Sequence, residues 1–203
     1  QQGTEPVPNS QVTSTEVKIS PEALDSVNKN DDVTSVDLVT DVATVTVDKD
    51  AWNTLTSNAK GKAVTLSIEE KDSTAEKATQ WEVTAKAGSR DVFSEENSGN
   101  STIKITVAYE LHEGFSVEVY CLDNGQKVDS KYDPISKTRT WWAPHVSSYG
   151  TAERSESSVA KVTIDGQTTY YGTLADAVAA VVASTDKTGT VTLLKDCSGN
   201  GVK

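Results

Sequence analysis

Hydrophobic positions alternate with polar ones over most of this chain, and a period of two is the mark of half-buried strands. Ile103, Ile105, Val107 and Tyr109 make the strongest such run. Phe115, Val117, Val119 and Cys121 resume the alternation after a polar break, and Asn124-Gly125 then gives a hairpin turn of the kind that needs positive φ. Upstream, the same rhythm runs through Val36 and Leu38, then Ala43, Val45 and Val47 beyond a turn near Asp41. It returns in Val64, Leu66 and Ile68, and again in Trp81, Val83 and Ala85. Lys137-Thr138 turns the chain into a strand holding Trp141 and Trp142. About seven strands with turns at short intervals predict a β-sandwich-like domain.

Two short helices interrupt the strands. Ser20 offers a capping hydroxyl, Pro21 suits the first helical position and Glu22 the first turn, so a helix should run through Leu24 to Val27. Asp50 is expected to cap a second, in which Trp52, Leu55 and Ala59 share one stripe and Gly61 ends the helix. Residues 87–101 are rich in glycine and serine and read as a mobile loop. Residues 1–15 are polar, hold two prolines and show no period, as in a linker or a loosely held extended segment.

A shift to AERSESS over 152–158 marks a boundary, and a compact pattern follows it. Val162 and Ile164 lead to an Asp165-Gly166 turn, then Tyr170 and Tyr171. Thr173 and Asp176 form a capping box. Leu174, Ala177, Val178, Val181 and Val182 should bury one helix face, and Val191 to Leu194 returns as a strand. The expected organisation is a linker at 1–15, a β-sandwich-like domain at 16–152 and a small ββαβ unit at 158–203. The chain is therefore mainly β with short helices. A unit of roughly 45 residues has a marginal core by itself and should lean on its neighbour or on further sequence.

Composition narrows the functional classes. Hydrophobic residues make up only 35% of the chain, but their strong patterning points to thin sheets rather than disorder. The formal charge of −11, with no basic stripe to offset it, argues against nucleic acid and anionic lipid as partners. No apolar run is long enough to cross a membrane. With no signal peptide and no methionine, the chain reads as a mature or excised fragment. Cys121 and Cys197 occupy apolar slots and read as buried thiols; a bridge between them would have to join the two apparent domains.

Candidate chemistry is sparse. His112 and His145 stand in no metal-ligand spacing with the cysteines. Asp48, Asp50 and Asn53 lack the glycine and terminal glutamate of a calcium loop, and Asp50 is better read as a cap. There is no phosphate loop, dinucleotide fingerprint or serine elbow. These residues imply no enzyme, no cofactor and no metal.

The stretches TIKITVAYE, VEVYCLDNGQKV and KYDPISKTRTWWAPHVSSYG resemble a β-rich module of large surface proteins of Gram-positive gut bacteria, often found beside S-layer homology domains. The segment ATVTVDKDAWNTLTSNAKGKAVTLSIEEKDS is similar to the preceding part of that module. Residues 160–196 resemble a ββαβ element that often stands before a right-handed β-helix. The pattern is not kept throughout: Lys137 stands for a usual turn glycine, Arg139 for valine, Val146 for phenylalanine and Gly150 for alanine. The resemblance implies a secreted protein at the bacterial cell surface. In that setting the glycosylation triplet Asn100-Ser101-Thr102 is incidental. His145-Val146-Ser147 resembles a His-Phe-Ser turn at which certain surface domains cleave their own backbone, but with valine in the middle the chain is expected to stay intact.

An aromatic clue remains. If Trp141 takes the inward slot, Trp142 points out, at a position that is commonly threonine in the resembling module. Trp142 beside Arg139, with Tyr120 and Leu122 of outward parity in the neighbouring strand, makes the candidate binding face; the plain alternative packs Trp142 on the second unit or on the 87–101 loop. The expected function is a non-catalytic extracellular module for adhesion or host-factor binding, with a host glycoprotein, glycan or immunoglobulin as target. A pure spacer, and an accessory segment of a carbohydrate-active β-helix protein, are the rivals.

Overall fold

A computed structural model describes residues 11–12, 15–72, 79–111, 115–155, 157–186 and 188–195. The first elements are β1 (Gln11–Val12), β2 (Glu16–Ile19), α1 (Pro21–Lys29), β3 (Ser35–Val39), β4 (Ala43–Asp48) and α2 (Lys49–Ala59). Then come β5 (Val64–Asp72), β6 (Thr79–Ala87), β7 (Arg90–Asp91), β8 (Ile103–Ala108) and β9 (Phe115–Cys121). The domain closes with β10 (Lys127–Val128), β11 (Ser130–Asp133), β12 (Thr138–Ala143) and β13 (Ser148–Ser155). The second unit is β14 (Ala160–Ile164), β15 (Gln167–Tyr171), α3 (Leu174–Ala183) and β16 (Thr190–Leu193). The chain is mainly β and sandwich-like, as its alternation predicts.

The strands β1 to β13 form two antiparallel sheets. One has the order β1-β2-β5-β6-β13-β9-β10, with β7 paired to β6; the other is β11-β12-β8-β4-β3. Inward residues of both meet in one core: Leu66, Ile68, Trp81, Val83 and Val119 from the larger sheet, and Val45, Val47, Ile105 and Trp141 from the smaller. The rings of Trp81 and Trp141 lie 5.1 Å apart, and Trp141 lies 5.8 Å from Tyr149. This aromatic stack ties the sheets together at their centre.

The helices finish this core. Ser20 caps α1 by accepting from the Ala23 amide, and Ala23, Leu24 and Val27 are buried. The cap of α2 is Asp48, which accepts from the Ala51 amide; Asp50 stands inside the first turn. The sequence places two acids near the start, and the residue that keeps an extended backbone takes the capping role. Trp52, Leu55 and Ala59 are buried as expected, and the Trp52 indole donates to the Leu24 carbonyl, joining the helices. The chain leaves α2 through Lys60 and Gly61, both at positive φ.

Other expectations need correction. Gln11 and Val12 pair with Lys18 and Val17, so an added strand occupies part of the expected linker. The glycine- and serine-rich stretch is pinned: Val92 and Phe93 are buried, and the Asn58 side-chain amide donates to the Val92 and Asn97 carbonyls. Above all, β13 runs through the expected boundary at Ala152 to Ser155 and pairs with β9 from Tyr149 to Ser155.

The second unit has the expected ββαβ order, with sheet order β15-β14-β16. Asp165 and Gly166 both take positive φ, as a two-residue hairpin turn requires. Thr173 caps α3 by accepting from the Asp176 amide. The expected apolar face of α3 is only partly covered: Ala177 is buried, Leu174, Val178 and Val181 are half-buried, and Val182 is 62% exposed. The unit's own core is small, and it leans on the larger sheet. The Gln167 amide donates to the Thr151 carbonyl, the Gln80 amide donates to Gln167, and the Arg154 guanidinium stacks over Tyr170.

Candidate functional site

The two outer faces of the sandwich differ. Over the larger sheet the second unit is seated on Tyr120, Leu122, Gly150 and Ala152. A Cβ added to Gly150 would stand 2.7 Å from Gln167 Oε1, and one on Gly166 would stand 2.1 Å from the Leu122 carbonyl oxygen. Tyr120 is 5% exposed, and its hydroxyl donates to Glu118 and lies 3.1 Å from the Tyr170 hydroxyl. Tyr170 also donates to Glu118, and Lys127 reaches the other carboxylate oxygen at 3.3 Å. Burial pushes the Glu118 carboxyl up, but these donors outweigh it and leave the group below its ordinary value. Burial also raises both phenols, Tyr170 to about 12.

Over the smaller sheet every described outward residue is partly or fully exposed. The registers arrange these residues in rows across the strands. Lys131, Thr140, Thr106, Thr44 and Val39 form one row. Trp142, Lys104, Thr46 and Asp37 form the next. Thr106 and Thr140 share a hydrogen bond of 2.9 Å, and Thr46 donates to Asp37 at 2.6 Å. Trp142, at one end, is 37% exposed, whereas Trp52, Trp81 and Trp141 are buried.

The four residues expected to form one binding face are therefore separated. Trp142 points outward as its parity predicts. Arg139, three residues earlier on the same strand, has the opposite parity and is 3% exposed. Its guanidinium lies 5.4 Å from the Tyr132 ring centroid and donates to Ser130 Oγ, while Nε is buried without a partner among the described residues. Burial pulls its pKa below the ordinary value, with Tyr109 and Tyr132 acting against that. Tyr120 belongs to the other sheet and Leu122 to the turn that follows β9, both against the second unit. The alternation could have excluded Arg139; the Thr44-Val45-Thr46 and Thr138-Arg139-Thr140 steps mark outward threonines but not which strands pair to align them.

The His145 to Ser147 turn forms a buried polar cluster. Ser147 donates to Asp123 and lies 3.2 Å from Cys121 Sγ. His145 Nδ1 lies 3.0 Å from the Val146 oxygen, and no hydrogen bond joins it to Ser147 among the described residues. Cys121 is buried; Cys197 and His112 lie outside the described residues, so the cysteine pairing does too. No described helix is long and apolar enough to cross a membrane.

No family model matches this chain, and no curated protein or solved structure shows significant similarity to it.

Proposed function

We propose that this chain is a non-catalytic extracellular module of a bacterial cell-surface protein, and that it binds a host glycoprotein, glycan or immunoglobulin through the open face of its smaller sheet. The observation that carries this reading is Trp142. It is the one tryptophan of four that is not buried, and it stands on a face that no other element covers among the described residues. A large amphipathic ring left in water at the edge of a polar surface is a typical anchor for a partner. The resemblance to surface modules of Gram-positive bacteria supports the location. The net charge of −11 weighs against nucleic acid.

The test is calorimetry of the purified chain against serum, mucus and immunoglobulin fractions. Trp142→Ala should weaken binding at least several-fold while the melting curve stays close to that of the parent chain. Binding that is unchanged by this substitution, or no binding to any fraction, would leave the spacer reading in its place.

A further inference from the structure

We infer that the occupant of the open face is an uncharged saccharide, laid across the threonine rows with one ring on Trp142. This rests on the binding reading above and names its ligand class. The longer row crosses five strands at about 4.8 Å spacing and is roughly 19 Å long, and the row that holds Trp142 crosses four and is roughly 14 Å long, which suits a short oligosaccharide.

The face offers a particular set of groups. Each threonine hydroxyl carries one donor and two acceptor sites. The Thr106–Thr140 pair uses one donor and one acceptor between its members, so one O–H and several lone pairs remain for a ligand. Thr46 spends its proton on Asp37 and keeps its lone pairs outward. Lys104 adds donors between Trp142 and Thr46, and Asp37 adds acceptors beyond it. A sugar hydroxyl is itself both donor and acceptor, so it can meet any member of this set. The sugar's other surface is a face of C–H bonds, whose slight positive charge packs against the negative face of an indole. Trp142 stands where that contact would be made.

Other partners match the face less well. A stable protein interface takes about 800 Å² per side and has an apolar centre. Here the exposed large apolar residues, Trp142 and Val39, lie at opposite ends, and the centre is Thr106, Thr44 and Thr46. Lys104 and Lys131 on this face are matched by Asp37 and Asp133, so an acidic glycan would meet no net positive charge on a chain already at −11. A neutral sugar has no such cost.

The test uses the full chain on an array of neutral and sialylated oligosaccharides, and intact mucin before and after mild periodate, which cleaves sugar diols. Neutral glycans should bind, and periodate should abolish mucin binding. Trp142→Ala should weaken glycan binding at least tenfold, and Trp142→Phe should retain part of it. The pair Thr106→Val with Thr140→Val keeps β-branched side chains in the strands and removes only hydroxyls. It should fold normally and bind about tenfold less. Equal binding by that pair, or preference for sialylated glycans, would overturn the inference. Periodate-resistant binding that still needs Trp142 would point to a protein ligand, overturning the inference and leaving the binding reading standing. No binding to glycan, mucin or host fraction would remove both.

Discussion

The sandwich has two outer faces built from the same kind of strand, and they have opposite fates. On the larger sheet, β13 shows small residues outward, Gly150 and Ala152, and β9 shows Tyr120 and Glu118. That face is closed by the second unit. On the smaller sheet the outward residues include Thr44, Thr46, Thr106 and Thr140 with Trp142 at one end, and no described element covers them. An outward aromatic is therefore not a binding residue by virtue of its parity. Tyr120 and Trp142 both point away from the sandwich core, yet one is a docking contact within the chain and the other faces solvent.

The largest effect should come from the pair Trp141 and Trp142. Trp141→Ala removes a fully buried ring that touches Trp81 and Tyr149, and should cost about 3–5 kcal/mol in chemical denaturation. Trp142→Ala, its neighbour, should cost about 1 kcal/mol or less, as for a substitution on an exposed face. Equal losses would make Trp142 a core residue and erase the contrast between the two faces.

Next is the docking of the second unit. Gly166→Ala puts a Cβ onto the Leu122 carbonyl at a residue with φ of +77°. Both faults act at the hairpin tip that meets the larger sheet. The expected outcome is faster proteolysis of the ββαβ unit, while the sandwich keeps its melting temperature. A variant that resists protease like the parent chain would show that the tip does not hold the unit in place.

A smaller, pH-dependent effect should follow from Glu118. Its folded pKa is depressed, so the stability it adds is present above the ordinary glutamate range and fades as pH falls through the folded value. Docking measured by protease protection should therefore weaken below about pH 4. In Glu118→Gln the charge is gone, and protection should be lower at neutral pH and flatter across the acid range. An unchanged pH profile in that variant would assign the acid sensitivity to other carboxylates.

These contrasts also explain what the sequence made legible. Alternation exposed β4, β8, β9 and β12, because each buries one face against the core and wets the other. Local chemistry exposed the Ser20 cap and the Asp165-Gly166 hairpin. It failed for β13, whose inward slots after Tyr149 hold Thr151 and Glu153 while the outward Gly150 and Ala152 are small, so no hydrophobic rhythm marks it. Val92 and Phe93 were hidden within a glycine- and serine-rich stretch whose folding depends on Asn58, more than thirty positions away. Arg139 looked like surface by residue type, although it shares the inward parity of Trp141, and it lies buried against Tyr132. Trp142 was legible as an outward residue. The rows of threonine around it were not, because they are assembled from three strands whose order the sequence does not state.

Collisional quenching of tryptophan fluorescence by acrylamide reads directly whether Trp142 alone among the tryptophans lies open to solvent, on a sheet face that no described element covers. The parent chain should show one accessible class and one protected class, and Trp142→Phe should abolish the accessible class without changing the melting curve. If quenching is the same in the parent chain and in Trp142→Phe, Trp142 is covered and the open face does not exist.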